Sequence, residues 1–157
     1  MKKIITYSIL FTFLLTSCGA SKVIKSAESE FQGNWQLTDV SFPGASGFFD
    51  VTLFQTASSN CFIGSSWSFV PNNNRGKVYF EQSDCDVLEQ NMVWSLRADE
   101  STNFDVLVKL AEDERASKQK QGSVWKLDNI NAAKMQWSTS VNFQGKPVTI
   151  VLTFNKN

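Results

Sequence analysis

The sequence predicts an all-β domain: eight or nine antiparallel strands closed into an up-and-down barrel and held by one disulfide. Three observations predict it. Short apolar segments recur from Phe31 to the end of the chain, separated by turn residues. Several alternate apolar and polar side chains, the period of a strand with one buried face. Two cysteines, Cys61 and Cys85, flank a hairpin signal.

The strand segments are 33–41, 48–54, 65–70, 77–83, 91–98, 104–110, 123–130, 134–143 and 147–154. Met92, Trp94 and Leu96 alternate with Asn91, Val93, Ser95 and Arg97. Phe104, Val106, Val108 and Leu110 share one parity, as do Val148, Ile150, Leu152 and Phe154. So do Met135, Trp137, Val141 and Phe143. Whether 48–54 and 134–143 belong to the wall decides between eight and nine strands. The stretch 112–121 reads as helix or loop.

Between 65–70 and 77–83 lies Pro71-Asn72-Asn73-Asn74-Arg75-Gly76, whose residues supply the dihedrals of a tight reversal. Position 73 is midway between Cys61 and Cys85, so folding the hairpin there brings the two thiols together. Outside the cytoplasm such a pair forms a bridge. The register is open: Trp67 faces either Tyr79 or Phe80. The five tryptophans (35, 67, 94, 125 and 137) all fall on inward stripes of different strands.

The chain of 157 residues carries 15 basic and 15 acidic side chains, so no basic field exists to hold nucleic acid. At 13% aromatic it is too rich in rings for a disordered chain. It contains no His, which removes Ser-His-Asp and Cys-His chemistry and the usual nitrogen ligand for metals. Asp84 and Asp86 beside Cys85, and the pair Asp99-Glu100, read as solvated turns, because neighbours on a strand point to opposite faces. The reading is therefore a non-enzyme with no cofactor and no metal.

The N-terminus reads as an address. Lys2 and Lys3 precede the uncharged run Ile4 to Leu15, too short to span roughly 30 Å of hydrocarbon. The run ends in Leu15-Thr16-Ser17-Cys18-Gly19, which resembles the lipobox of bacterial lipoproteins. That resemblance implies a signal peptide over 1–17, cleavage before Cys18, and a diacylglycerol on the Cys18 sulfur. It further implies a membrane partner and, with Gly rather than Asp at position 19, sorting within the cell envelope to the outer membrane. The small, polar stretch that follows reads as a flexible tether, completing a lipidated segment 18–30 with an r.m.s. span of roughly 20 Å. Residues 31–157 form the domain.

Phe31-Gln32-Gly33-Asn34-Trp35 opens the first strand and resembles the Gly-x-Trp signature of the lipocalins. The resemblance implies that Gly33 turns the chain into the strand and that Trp35 packs across the closed end of the barrel. Cys61, Trp67 and Phe69, the Asn/Gly turn, Cys85, Trp94 and Leu96 are similar in order to bacterial lipocalin-like lipoproteins. The sequence departs from the lipocalin pattern in having no Arg near its last strand, where Lys146 and Lys156 are the nearest cations.

Two functions fit. The first is a membrane-tethered cup for a small hydrophobic molecule or lipid, lined by Phe48, Phe49, Trp67, Phe69, Tyr79, Trp94 and Trp137. The second is a non-catalytic envelope protein with a solid barrel, meeting a protein partner through loops 42–47, 71–76 and 111–122.

Overall fold

The computed structural model describes residues 19–47, 49–82, 84–86, 88–98, 103–111 and 122–157. The signal segment 1–17, Cys18, Phe48, the Asp99-Glu100 pair and the stretch 112–121 lie outside the described residues.

Helix α1 (Gly19–Phe31) leads into β1 (Gly33–Ser41). A small excursion follows, made of β2 (Thr52–Leu53), β3 (Ala57–Ser58) and the one-turn helix α2 (Ser59–Phe62). Then come β4 (Ser66–Val70), β5 (Arg75–Tyr79), β6 (Glu89–Ala98), β7 (Phe104–Ala111), β8 (Ser123–Ile130), β9 (Lys134–Phe143) and β10 (Lys146–Lys156). Eight strands close the barrel in the order β1-β10-β9-β8-β7-β6-β5-β4, and β1 seals it by pairing with both β10 and β4. All pairings are antiparallel. Closure removes the free edges that an open sheet would present.

The segment 48–54 is not a wall strand. Thr52 and Leu53 pair with Ser58 and Ala57, in a separate two-stranded ribbon. Thus 134–143 completes the eight-stranded wall.

The stretch read as a flexible tether is helical from Gly19 to Phe31. Ile24, Ala27 and Phe31 fall one turn apart or nearly so, and that narrow face packs on the core. Three apolar residues among many polar ones sufficed to dock the helix. Glu28 accepts a hydrogen bond from Asn74 Nδ2 (3.3 Å) in the β4–β5 turn.

The β4–β5 register resolves to neither expected pairing: Trp67 lies opposite Val78. The turn ends earlier than its composition suggests, with Asn74 in the left-handed region (φ 54°) and the strand starting at Arg75. Val78 and Phe80 therefore point inward, and Tyr79 points out at 42% exposure beneath the Lys77 ammonium. Gly76 faces inward on the same strand. A Cβ there would run into the Ser68 carbonyl oxygen and the Met92 methyl, so only glycine lets β4 and β5 approach this closely.

The disulfide forms between Cys61 and Cys85, with a Cα–Cα distance of 5.9 Å. It ties α2 to the connection between β5 and β6.

Candidate functional site: the barrel lumen

Alternation along the strands sends one side chain in two to the axis. The result is an interior of rings. All five tryptophans are at most 3% exposed, and Phe69 and Phe154 join them. Trp67 meets Trp137 (5.9 Å between centroids) and Phe154 (5.4 Å), and Trp137 meets Phe154 (4.8 Å). Aromatic pairs at such spacings add about 0.5–1.5 kcal/mol each beyond the area they bury.

One end of the barrel is sealed by α1. Phe31 is fully buried, stacked on Trp94 (5.2 Å) and edge-on to Phe69 (5.5 Å). Its carbonyl accepts from Trp35 Nε1 at 2.9 Å. Gly33, with φ +117°, makes the turn from helix into strand that no L side chain makes comfortably. Lys156 Nζ lies 4.9 Å from the centre of the Trp35 ring and donates to the Glu30 carbonyl at 3.3 Å. A lysine from the last strand thus covers the tryptophan face.

The other end is covered by the β2–β3 excursion. Its tip is a β-turn, closed by Thr56 N donating to the Leu53 carbonyl at 3.0 Å. Phe54 (φ 51°) and Gln55 (φ 58°) occupy its two central positions, both left-handed. That is the pattern of a type I′ turn, which ordinarily takes Asn or Gly. For other L residues the left-handed conformation costs roughly 1–2 kcal/mol each. The strained turn aims the Phe54 ring down the axis, where it contacts Trp125 (5.2 Å), Trp67 (5.4 Å) and Phe62 (5.3 Å). At the base of the ribbon, Asp50 accepts from the hydroxyls of Ser58 and Ser59, and Ser59 N donates to the Val51 carbonyl at 2.7 Å.

The polar groups of this interior are few: Ser59, Ser65 and Gln90 are its buried polar residues among those described. Three indoles find acceptors within the chain. Trp35 donates to the Phe31 carbonyl, Trp67 to Ser65 Oγ (2.8 Å) and Trp94 to the Arg75 carbonyl (3.1 Å). Trp125 and Trp137 do not: their buried Nε1–H groups have no acceptor among the described residues. An unmet buried donor costs about 1–3 kcal/mol, so two of them in one apolar lumen call for an explanation.

The residues expected to line a cup divide three ways. Trp67, Phe69, Trp94 and Trp137 meet in the lumen. Tyr79 is on the outer wall. Phe49 lies on the outer rim, stacked on Phe42 (5.2 Å) and edge-on to Phe143 (5.8 Å), because the segment carrying it runs over the mouth rather than within the wall. Missing from that expectation were Phe31, Phe54, Phe62 and Phe154. Phe154 shares a parity with Leu152 and was legible. Phe54 was not, since Leu-Phe-Gln-Thr carries no turn signal. Among the described residues, no three His, Cys, Asp or Glu side chains converge as metal ligands would.

No family model matches the sequence, and no curated protein matches it. Among solved structures, the chain is similar to a lipocalin-like protein from Bacteroides uniformis, with a TM-score of 0.48 and 11% identity, covering 82% of this chain and 99% of that one. It is also similar to bovine odorant binding protein in complex with a selenium-containing odorant, with a TM-score of 0.43 and 10% identity, covering 83% of this chain and 72% of that one.

Proposed function

We propose that this chain is a binding protein that takes a small hydrophobic molecule or lipid into its barrel from the β2–β3 end, while an acylated Cys18 holds it to the outer membrane of a cell envelope. The observation that carries the reading is the pair of unmet indole N–H groups, Trp125 and Trp137, in a closed and largely apolar interior. Packing alone gives no reason to bury donors without acceptors. A guest with an acceptor atom does. Burial of its apolar surface, at about 25 cal/mol per Å², supplies the affinity. The tether rests on the order of Lys2-Lys3, the run Ile4 to Leu15, and Cys18.

The binding test is a tryptophan fluorescence titration with a panel of uncharged lipids and lipophilic dyes. Saturable quenching or a blue shift is expected, and a silent titration across the panel refutes the reading. For the anchor, Cys18→Ala should move the protein from the membrane fraction to the soluble one.

A second reading, an envelope interaction protein with no guest, is favoured by the rim patch of Phe42, Phe49 and Phe143, the last 47% exposed. It predicts a silent titration together with a protein partner lost on Phe143→Ser.

A further inference from the structure

Resting on the binding reading, we infer that Phe54 is a built-in occupant of the ligand site, held there by a strained turn, and that the guest displacing it is a neutral, ring-bearing molecule with a hydrogen-bond acceptor. Three independent features lead to this.

The first is position. Among the described residues, Phe54 is the one lumen ring on a ribbon tip rather than on the wall, and it is 8% exposed where Phe62 beside it is fully buried. Phe62 sits on α2, which the Cys61–Cys85 bridge fastens to the β5–β6 connection. The excursion is thus fixed at its α2 end, and the tip is its movable part.

The second is strain. Two consecutive left-handed residues, neither Gly nor Asn, weaken the inserted state relative to the withdrawn one. A loop whose task was permanent closure would gain from glycine here. The strain keeps the ring displaceable.

The third is the chemistry around the ring. Phe54 contacts Trp125, whose N–H is unmet, and Trp67, whose N–H is already given to Ser65. The vacated space therefore offers an aromatic wall and a donor. No Lys or Arg is among the buried described residues, so nothing there would balance an anion. A ketone, ester or ether oxygen suits that donor, and a carboxylate does not. The size of the guest's inserted group is set by the phenyl ring it replaces.

Calorimetric titration of the purified full-length protein tests this with three probes of nearly one shape: 1-acetylnaphthalene, 1-ethylnaphthalene and 1-naphthoate. The ketone should bind about tenfold or more tightly than the hydrocarbon, and the carboxylate most weakly. Phe54→Ala should tighten the ketone by about tenfold or more, because the guest no longer competes with the ring. Gln55→Gly keeps the ring but relaxes the turn, so it should weaken the ketone about two- to fivefold while raising the melting temperature. A cavity left by a purely structural Phe54 would also tighten the ketone in the first variant, so the second variant decides: with a purely structural ring, Gln55→Gly leaves the affinity unchanged. If the ketone binds the wild type and both variants alike, the displacement idea falls and the binding reading stands. If the carboxylate binds best, the assigned ligand class falls. If no probe binds either the wild type or Phe54→Ala, the binding reading falls and this inference with it.

Discussion

Replacing Phe31 with Ala asks whether α1 belongs to the domain or merely precedes it. The wild-type ring is fully buried and touches Trp94, Phe69 and Trp137 at 5.2, 5.5 and 6.1 Å between centroids. Truncating a core phenylalanine costs about 3–5 kcal/mol, combining lost transfer energy with the cavity left behind. Three aromatic pairs at roughly 0.5–1.5 kcal/mol each place this site in the upper part of that range. With a urea slope of about 2 kcal/mol per molar, the unfolding midpoint should fall by about 2 M. The assay is equilibrium urea unfolding followed by tryptophan fluorescence and by far-UV circular dichroism. Coincident transitions at the lower midpoint are expected. A midpoint shift under about 0.5 M would mean that α1 is not docked, and the description of a sealed barrel end would be wrong.

Other outcomes follow from single features. Gly76→Ala should cost about 2 kcal/mol or more, since backbone rather than a flexible side chain must move to admit the new methyl; an unchanged urea midpoint would contradict the β4–β5 approach. Replacing Cys61 and Cys85 together by Ala opens a loop with a sequence separation of 24 and should cost about 3.5 kcal/mol on loop entropy, read as a lower melting temperature that matches the reduced wild type. Because the chain has no His, guest affinity should stay flat from pH 6 to pH 8, and a sigmoidal profile there would point to a group not considered above. Glu89, hydrogen-bonded to Lys77, holds that ammonium above the usual lysine range. Its stabilising effect is present in full at pH 7, below the ordinary lysine pKa of about 10.4, and is lost as pH rises through the elevated value; because the pair is exposed that effect is small, and Lys77→Met should lower the melting temperature at pH 7 only slightly.

The wall was legible because period-two patterning is a local property. Met92-Val93-Trp94-Ser95-Leu96 states its own inside and outside, and so does Ile150-Val151-Leu152-Thr153-Phe154. The ends of the barrel were not legible. Helix α1 buries so few apolar residues that its segment reads as polar, and only contact with the finished wall gives Ile24 and Phe31 a place to go. The Phe54 turn violates local preference outright, and tertiary contacts with Trp67 and Trp125 override it. Tyr79 was misplaced by one residue, which in a strand exchanges the two faces. The disulfide, by contrast, followed from the symmetry of a hairpin about residue 73, and a small error in register leaves that symmetry intact.

The crossing of Trp67 and Trp137, at 86° and 5.9 Å, has an optical consequence. Two indoles so near each other, held in one fixed geometry, contribute to the near-ultraviolet dichroism together. Light absorbed by one indole of this pair passes readily to the other across that gap. Any molecule that parts the pair should therefore announce itself in that spectrum without a label.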